Sequence, residues 1–109
     1  MRFCPWYPLS EARDRAPAGE GVVQLRLASG LLDYPRGKSA MVFYAHAAHV
    51  ADTIDAWAAA HGAAEGGSAR ETFVCRHLIE ADPATDLAQF CAKLSDEFLR
   101  RFGAPPGLR

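Results

Sequence analysis

Patterns of apolar and β-forming residues mark three strands along the chain. In GVVQLRLAS, residues 21–29, apolar and polar side chains alternate from Val23 to Leu27, which is typical of a strand with one buried face. In AMVFYA, residues 40–45, both faces are apolar, so this strand is predicted to lie at the centre of the sheet. In TFVCRHLI, residues 72–79, β-branched and aromatic residues follow one another without a strand breaker. We expect the first two strands to pair antiparallel through the loop between them.

A helical repeat separates the second strand from the third. Within residues 47–61, Val50, Ile54 and Trp57 are spaced by four and three positions, which places them on one helical face. Gly62 follows this segment and is expected to end the helix, because glycine adopts the left-handed conformation of a helix C-cap at little cost.

The last helix of the chain is predicted over residues 82–102. Asp82 is its expected N-cap and Pro83 its first residue, while Gly103 is expected to end it. One face of this helix is apolar. The residues of that face are Leu87, Phe90, Cys91, Leu94, Phe98 and Phe102.

The first 20 residues are predicted to form a lead-in that packs on the rest of the domain. Proline occurs at positions 5, 8 and 17, which excludes one long helix and leaves room for a single helical turn after Ser10. Phe3, Trp6 and Tyr7 are expected to cover the sheet edge, since aromatic side chains of this kind bury about 150–250 Å² each.

The order of these elements predicts one α+β domain over residues 1–109, because a chain of this length suits a single core. It consists of a small three-stranded, mainly antiparallel sheet flanked by helices. The expected core residues are Leu25, Val42, Ile54, Trp57, Phe73, Phe90, Leu94 and Phe98.

Charge and composition exclude several classes of function. The formal net charge is −1, so no overall attraction to nucleic acid or anionic lipid is expected. No apolar run approaches the length of about 18 residues that a membrane span needs, and the N-terminus lacks the apolar core of a signal peptide. A cytoplasmic protein is expected, and the abundance of Ala, Gly and Arg indicates a bacterial source. The 3 cysteines form no CxxC pair, which favours buried thiols over a zinc or redox site.

Two short polar motifs invite a functional interpretation. His46 and His49 are spaced for a shared metal ion on a helix, but no further ligand stands at a recognised spacing, so ordinary polar roles are favoured. The stretch PRGKS, residues 35–39, ends like a phosphate-binding loop. Position 32 is leucine where that motif needs glycine, and a strand follows, so the motif is excluded. Arg36 and Lys38 are left as a basic hairpin loop that either contacts a phosphate backbone or is simply solvated.

Glu97 is the candidate ligand for a divalent metal ion. It borders the apolar face of the last helix, but a single carboxylate supplies few of the oxygens that a hard cation needs. The simpler interpretation is a surface acid that pairs with Arg100 or Arg101, three and four residues later.

The whole layout resembles the GIY-YIG nuclease domain. The stretch WYPLSEARDRAPAGEGVVQLR, residues 6–26, resembles the lead-in and first strand, with GVV at 21–23 in place of the first tripeptide. The stretch GKSAMVFYAHAAHVADTI, residues 37–54, resembles the second strand and following helix, with FYA at 43–45 in place of the second tripeptide. The stretch EFLRRFGAPPGLR, residues 97–109, resembles the segment that carries the family's glutamate.

This resemblance implies phosphodiester hydrolysis, in which two tyrosines and a helix arginine surround the scissile phosphate and the glutamate holds Mg²⁺ or Mn²⁺. The matching positions here are largely substituted. The tyrosine positions are Val23 and Phe43, the arginine position is Thr53, and the terminal asparagine position is Leu108. Only the glutamate position keeps its residue type, as Glu97.

Three functions are compatible with these substitutions. The favoured hypothesis is a catalytically degenerate domain, a pseudoenzyme that binds an unknown protein partner or, weakly, nucleic acid. The second is a metal-dependent nuclease with a substituted site made of Tyr44, His46 and Glu97, in which a one-residue shift supplies the phenol. The third is a small structural subunit that self-associates through its aromatic N-terminus. The absence of any arginine between Arg36 and Arg70 disfavours the nuclease.

Overall fold

The architecture is α+β, as the order of sequence patterns predicts. The computed structural model describes residues 1–61 and 72–108. In this part of the chain the strands are β1 (Arg2–Phe3), β2 (Tyr7–Pro8), β3 (Gly21–Leu27), β4 (Leu32–Tyr34), β5 (Gly37–Ser39), β6 (Met41–Ala47) and β7 (Phe73–Glu80). The helices are α1 (Ala12–Arg15), α2 (Val50–Ala60) and α3 (Leu87–Phe102), and a 3₁₀ turn at Leu9–Glu11 precedes α1.

The main sheet has the strand order β1, β7, β3, β6, and β2 also pairs with β7. Each pairing in the described residues is antiparallel. The predicted three strands are therefore the main part of a larger sheet. The prediction that β6 is central is wrong, because β3 lies between β7 and β6, and among the described strands β6 is at the edge of the sheet. β6 is apolar on both sides because each of its faces packs against a helix, with Phe43 against Trp57 and Tyr44 against Phe98.

The N-terminal lead-in joins the sheet as a broken edge strand. Phe3 lies opposite Leu78 and Tyr7 lies opposite Cys75, so β1 and β2 follow the same side of β7. The interruption between them contains Pro5, which has no backbone N–H to donate to a strand.

The segment predicted as a plain connection between β3 and β6 contains a second, two-stranded sheet. β4 and β5 pair antiparallel, with Tyr34 opposite Gly37. Gly37 has a φ of 140°, a backbone conformation that residues other than glycine rarely adopt. A Cβ atom built on Gly37 would lie 3.6 Å from the ring of Phe102. The Tyr34 side chain is buried against Phe98 and Phe102, so this ribbon is attached to α3.

Two apolar clusters lie on opposite faces of the main sheet. The larger lies under α2 and includes Leu25, Ile54 and Trp57, and the smaller lies under the C-terminal half of α3 and includes Tyr34 and Phe98. The predicted core residues Leu25, Val42, Ile54, Trp57, Phe73 and Phe98 are buried.

The prediction that Phe90 and Leu94 are core residues is wrong, because both are only half-buried. The N-terminal half of α3 lies outside the smaller cluster, and Phe90 meets Phe3 of the lead-in with ring centroids 6.5 Å apart.

The predicted start of the last helix is also wrong, whereas its end is confirmed. α3 begins at Leu87, with the Asp86 carboxylate accepting from the Gln89 N–H at 3.1 Å. Asp82 instead accepts from the Ala84 N–H at 2.9 Å in a separate turn, which satisfies the backbone before the helix starts. Gly103 ends α3 with a φ of 81°. The expected role of Gly62 at the end of α2 lies outside the described residues.

No helix in residues 1–61 and 72–108 has the length and apolar character needed to cross a bilayer.

Candidate functional site

Strand alternation divides the candidate site residues between the two faces of the sheet. Val23 is fully buried in the cluster under α2. Phe43 points to the same side, where its ring lies 6.1 Å from the Trp57 ring. Val23 is fully buried and Phe43 is half-buried against the core, so neither of the two positions that match the family's tyrosines presents a polar group to a phosphate.

The other two substituted positions lie elsewhere. Thr53 is half-buried on α2, whose helix packs on the Val23 side of the sheet. Leu108 is exposed and lines a shallow cavity of about 230 Å³ beside Leu32 and Asp33 of the ribbon. The four substituted positions therefore do not assemble a polar site.

Tyr44 lies on the opposite face, under α3. Its ring meets the Phe98 ring edge-on at 5.8 Å, and its side chain is half-buried. Burial raises the pKa of Tyr44, the charge of Arg76 acts to lower it, and the charge of Glu97 adds a smaller increase. The phenol is therefore a neutral hydrogen-bonding group near neutral pH. Glu97 itself is exposed on α3, close enough to Tyr44 for their charges to interact.

His46 shares the face of Tyr44 but is engaged in a different contact. Its Nε2 lies 2.5 Å from Glu20 Oε2, and it stands opposite Val22 in the sheet. His49 does not join it, because His49 Nδ1 accepts from the Asp52 N–H at the start of α2. The metal site considered for these two histidines is therefore not formed.

Among the side chains that the structure describes, Glu97 does not belong to a group placed to hold a metal ion. Within the described residues, no group of three or more His, Cys, Asp or Glu side chains is placed to hold a metal ion. No ion pair between Glu97 and Arg100 or Arg101 is present in that part of the chain either.

The basic residues of the hairpin loop have structural contacts. The backbone N–H of Arg36 donates to the Phe102 carbonyl at 3.0 Å, and its guanidinium donates to the Leu99 carbonyl at 3.4 Å. Both carbonyls belong to the C-terminal end of α3, where a cation is favoured by the helix dipole. Lys38 pairs with Asp33 across the ribbon at 3.4 Å, with both side chains exposed. These contacts explain the basic loop without a phosphate ligand.

Sequence reasoning missed a group of arginines on the Tyr44 face. The guanidinium carbons of Arg26 and Arg76 lie 4.1 Å and 4.6 Å from the centroid of the Trp6 ring. Arg76 Nε also donates to Gln24 Oε1 at 2.8 Å, and Gln24 is buried. Burial and the charge of Arg26 lower the pKa of Arg76. The available sequence signal was the polar half of the alternation in β3 and β7, which places Gln24, Arg26 and Arg76 on one face.

A surface cavity of about 350 Å³ opens beside this group, between β6, the ribbon and the C-terminal half of α3. Its polar residues are Arg26, Ser39, Tyr44 and Arg101, and its other residues are Leu31, Ala40, Met41, Phe98 and Phe102. We call this cavity the arginine cleft. Of the sequence-predicted candidates only Tyr44 lines it.

A second polar cluster lies on the α2 side of the sheet, around His77. Its Nδ1 lies 2.9 Å from the Tyr7 hydroxyl and 3.5 Å from Cys4 Sγ. Burial, together with the charge of Arg15, lowers the pKa of His77, and burial raises the pKa of the Cys75 thiol to about 12. The neutral imidazole and protonated thiol suit a hydrogen-bonded part of the core.

We expect the stability of the protein to fall as the pH decreases below the ordinary histidine pKa of 6.5, in part through His77. Because the folded state keeps this imidazole neutral, the unfolded chain takes up the proton at a higher pH than the folded chain does. As the pH falls, proton binding therefore stabilises the unfolded state relative to the folded state. Urea unfolding from about pH 8 to about pH 5 should show a smaller loss in His77→Gln than in the parent. His61→Gln removes an exposed imidazole and is the control. An equal loss in His77→Gln and the parent would contradict this assignment.

A scan of protein-family models, a search of curated proteins and a search of solved structures each find no match to this chain. The resemblance to the GIY-YIG domain therefore stays a prediction that depends on the sequence motifs alone.

Proposed function

We propose that the chain is a catalytically degenerate GIY-YIG-like domain that acts as a protein-interaction module. The observation that carries this proposal is that Val23 is fully buried in the core under α2 and that Phe43 is half-buried against the same core. A phosphodiesterase of this kind needs side chains that surround the phosphate and a metal ligand set. Here the two tyrosine positions hold the apolar packing residues Val23 and Phe43, and no group of metal ligands surrounds Glu97 in the described residues.

Binding of nucleic acid is the second candidate. Arg26, Arg76 and Arg101 present positive charge on the Tyr44 face, and Trp6 offers an aromatic surface. Against this, the net charge of the chain is −1, so any such binding is weak and confined to this face.

We further propose that the protein is located in the cytoplasm of a bacterium. The 3 cysteines, Cys4, Cys75 and Cys91, are free, which fits a reducing compartment.

We expect the purified protein with Mg²⁺ or Mn²⁺ not to cut single-stranded, double-stranded or branched DNA. The physical reason is that no phenol stands at the family's two tyrosine positions and no arginine at its helix position, and the loss of such groups removes several orders of magnitude in rate. The measurement is a nuclease assay of the parent beside Tyr44→Phe and Glu97→Ala. Metal-dependent cutting that disappears in either variant would establish the substituted-site nuclease and end the proposal. Cutting of equal rate in all three proteins would identify an impurity.

A further inference from the structure

The arginine cleft is lined by two arginines together with apolar side chains. Arg26 comes from β3 and Arg101 comes from the last turn of α3, and both line the same cavity of about 350 Å³. Tyr44 adds a hydroxyl, while Met41, Phe98 and Phe102 provide apolar surface. The Tyr44 phenol is protonated near neutral pH, and burial raises its pKa further, so it can donate a hydrogen bond to an anion.

The arginines of the cleft and of the adjoining Trp6 group have no carboxylate partner in the part of the chain that the structure describes. The salt bridges there involve other residues. Arg26 and Arg76 nevertheless lie against the same indole ring, near enough for the charge of Arg26 to lower the pKa of Arg76. Since like charges held together repel, an anion beside Arg26 would relieve this repulsion.

The position of Arg26 is already restricted before any ligand binds. Its guanidinium stacks on Trp6 at 4.1 Å, and Trp6 belongs to the lead-in that β1 and β2 hold against β7. An arginine restricted in this way loses less conformational entropy when it pairs with a carboxylate, and its planar fork suits bidentate contact.

The apolar part of the cleft favours a protein segment over nucleic acid. Leu31 lines the cleft with 61 % of its surface exposed, and Leu99 on α3 is 42 % exposed. Arg, Tyr, Met and Phe, which line the cleft beside Leu31, are among the residue types enriched at protein interfaces. A nucleic-acid strand would use stacking surfaces and many cations, and would leave Leu31 uncovered.

We infer that the arginine cleft binds a segment of another protein in which an aspartate or glutamate stands next to a large apolar residue. The carboxylate pairs with Arg26 and Arg101, and the apolar side chain covers Leu31 and Met41. This inference rests on the proposed interaction function, for which it names the chemistry of the partner.

The test begins with selection of random twelve-residue peptides displayed on phage against the full chain. We expect the selected peptides to be enriched in Asp or Glu beside Leu, Phe or Trp. The affinity of a synthetic, fluorescein-labelled selected peptide is then measured by anisotropy. Arg101→Glu should weaken it by about tenfold or more, since a repelling charge replaces an attracting one in a partly desolvated cleft.

Arg100→Glu is the matched control. It makes the same charge change on the neighbouring residue of α3, which is exposed and does not line the cleft. Its effect should stay within about twofold, as expected for a solvated surface charge. Circular dichroism of both variants checks that each is folded, and Arg26→Lys gives a second variant that keeps the charge but removes the fork.

The remaining outcomes separate the inference from the proposed function. Selected peptides that lack acids, or that bind both glutamate variants equally, would overturn the inference and leave an interaction module with another site. Failure of any peptide to be enriched would overturn both. Binding of a fluorescein-labelled oligothymidine at physiological salt that is lost in Arg101→Glu alone would overturn the peptide inference in favour of nucleic acid.

Discussion

Replacing Trp57 by alanine is expected to lower the free energy of unfolding by about 3–5 kcal/mol. Trp57 is 6 % exposed and lies at the centre of the cluster under α2. Its ring meets Phe73 edge-on at 4.9 Å and stacks on His61 at 4.2 Å. The variant would lose these contacts and leave a cavity between α2 and the sheet. Since domains of this size are stable by about 5–15 kcal/mol, the substitution should remove a large part of the stability, and at the low end of this range it should unfold the protein.

Urea unfolding followed by far-ultraviolet circular dichroism is the suitable measurement, because the substitution removes one of the 2 tryptophans and would alter a fluorescence signal directly. Phe90→Ala is the control, since Phe90 is also aromatic but only half-buried at the edge of α3. It should cost clearly less than Trp57→Ala. If the two variants lost equal stability, the assignment of the main core to the α2 side would be wrong.

The elements that could be predicted from the sequence are those with a local periodic signal. β3 was indicated by residue alternation, β7 by its run of β-branched and aromatic residues, and the buried face of α2 by the spacing of Val50, Ile54 and Trp57. These patterns report which face of an element is covered. They do not report which strand lies beside it, and for that reason the apolar residues of β6 were mistaken for a central position.

The start of α3 shows a second limit of local signals. Asp82 and Asp86 are both acceptable N-caps, and Pro83 favours the first of them. Asp86 is the N-cap in the structure because the Asp82 carboxylate is already engaged in a separate turn, where it accepts from the Ala84 N–H. The β4–β5 ribbon was missed for a related reason, since its short strands are stabilised by the burial of Tyr34 against α3 rather than by their own pattern.

The candidate site was less predictable than the fold because its contacts connect distant parts of the chain. Arg76 donates a hydrogen bond to Gln24, which is 52 residues away in the sequence. The Trp6 ring of the lead-in contacts the guanidinium groups of both Arg26 and Arg76. The resemblance to the GIY-YIG domain predicts a single functional arginine, at the helix position that Thr53 occupies. The sheet supplies two arginines from neighbouring strands instead, at positions that alternation alone assigns to solvent.

The second large effect is expected at Gly21, where β3 begins. Gly21 is buried, and a Cβ built on it lies 2.8 Å from Val50 Cγ2. Val50 cannot move away from a larger side chain, because it is fully buried. The first turn of α2 is also held against the lead-in, since the N–H groups of Val50 and Ala51 donate to the carbonyls of Gly19 and Pro17. Gly21→Val should therefore cost about 1–3 kcal/mol of stability, although valine favours strands.

A matched control and a double-mutant cycle test this explanation by urea unfolding. Gly19→Val introduces the same side chain two residues earlier, where nothing lies within 4 Å, and should change stability by no more than about 0.5 kcal/mol. Val50→Ala removes the methyl group that the new side chain meets, so Gly21→Val should be less destabilising in a Val50→Ala background than in the parent. Equal costs in the two backgrounds would show that the close approach of β3 and α2 is not the cause. Recovery of stability would instead identify Gly21 as the residue that lets α2 lie directly on the sheet.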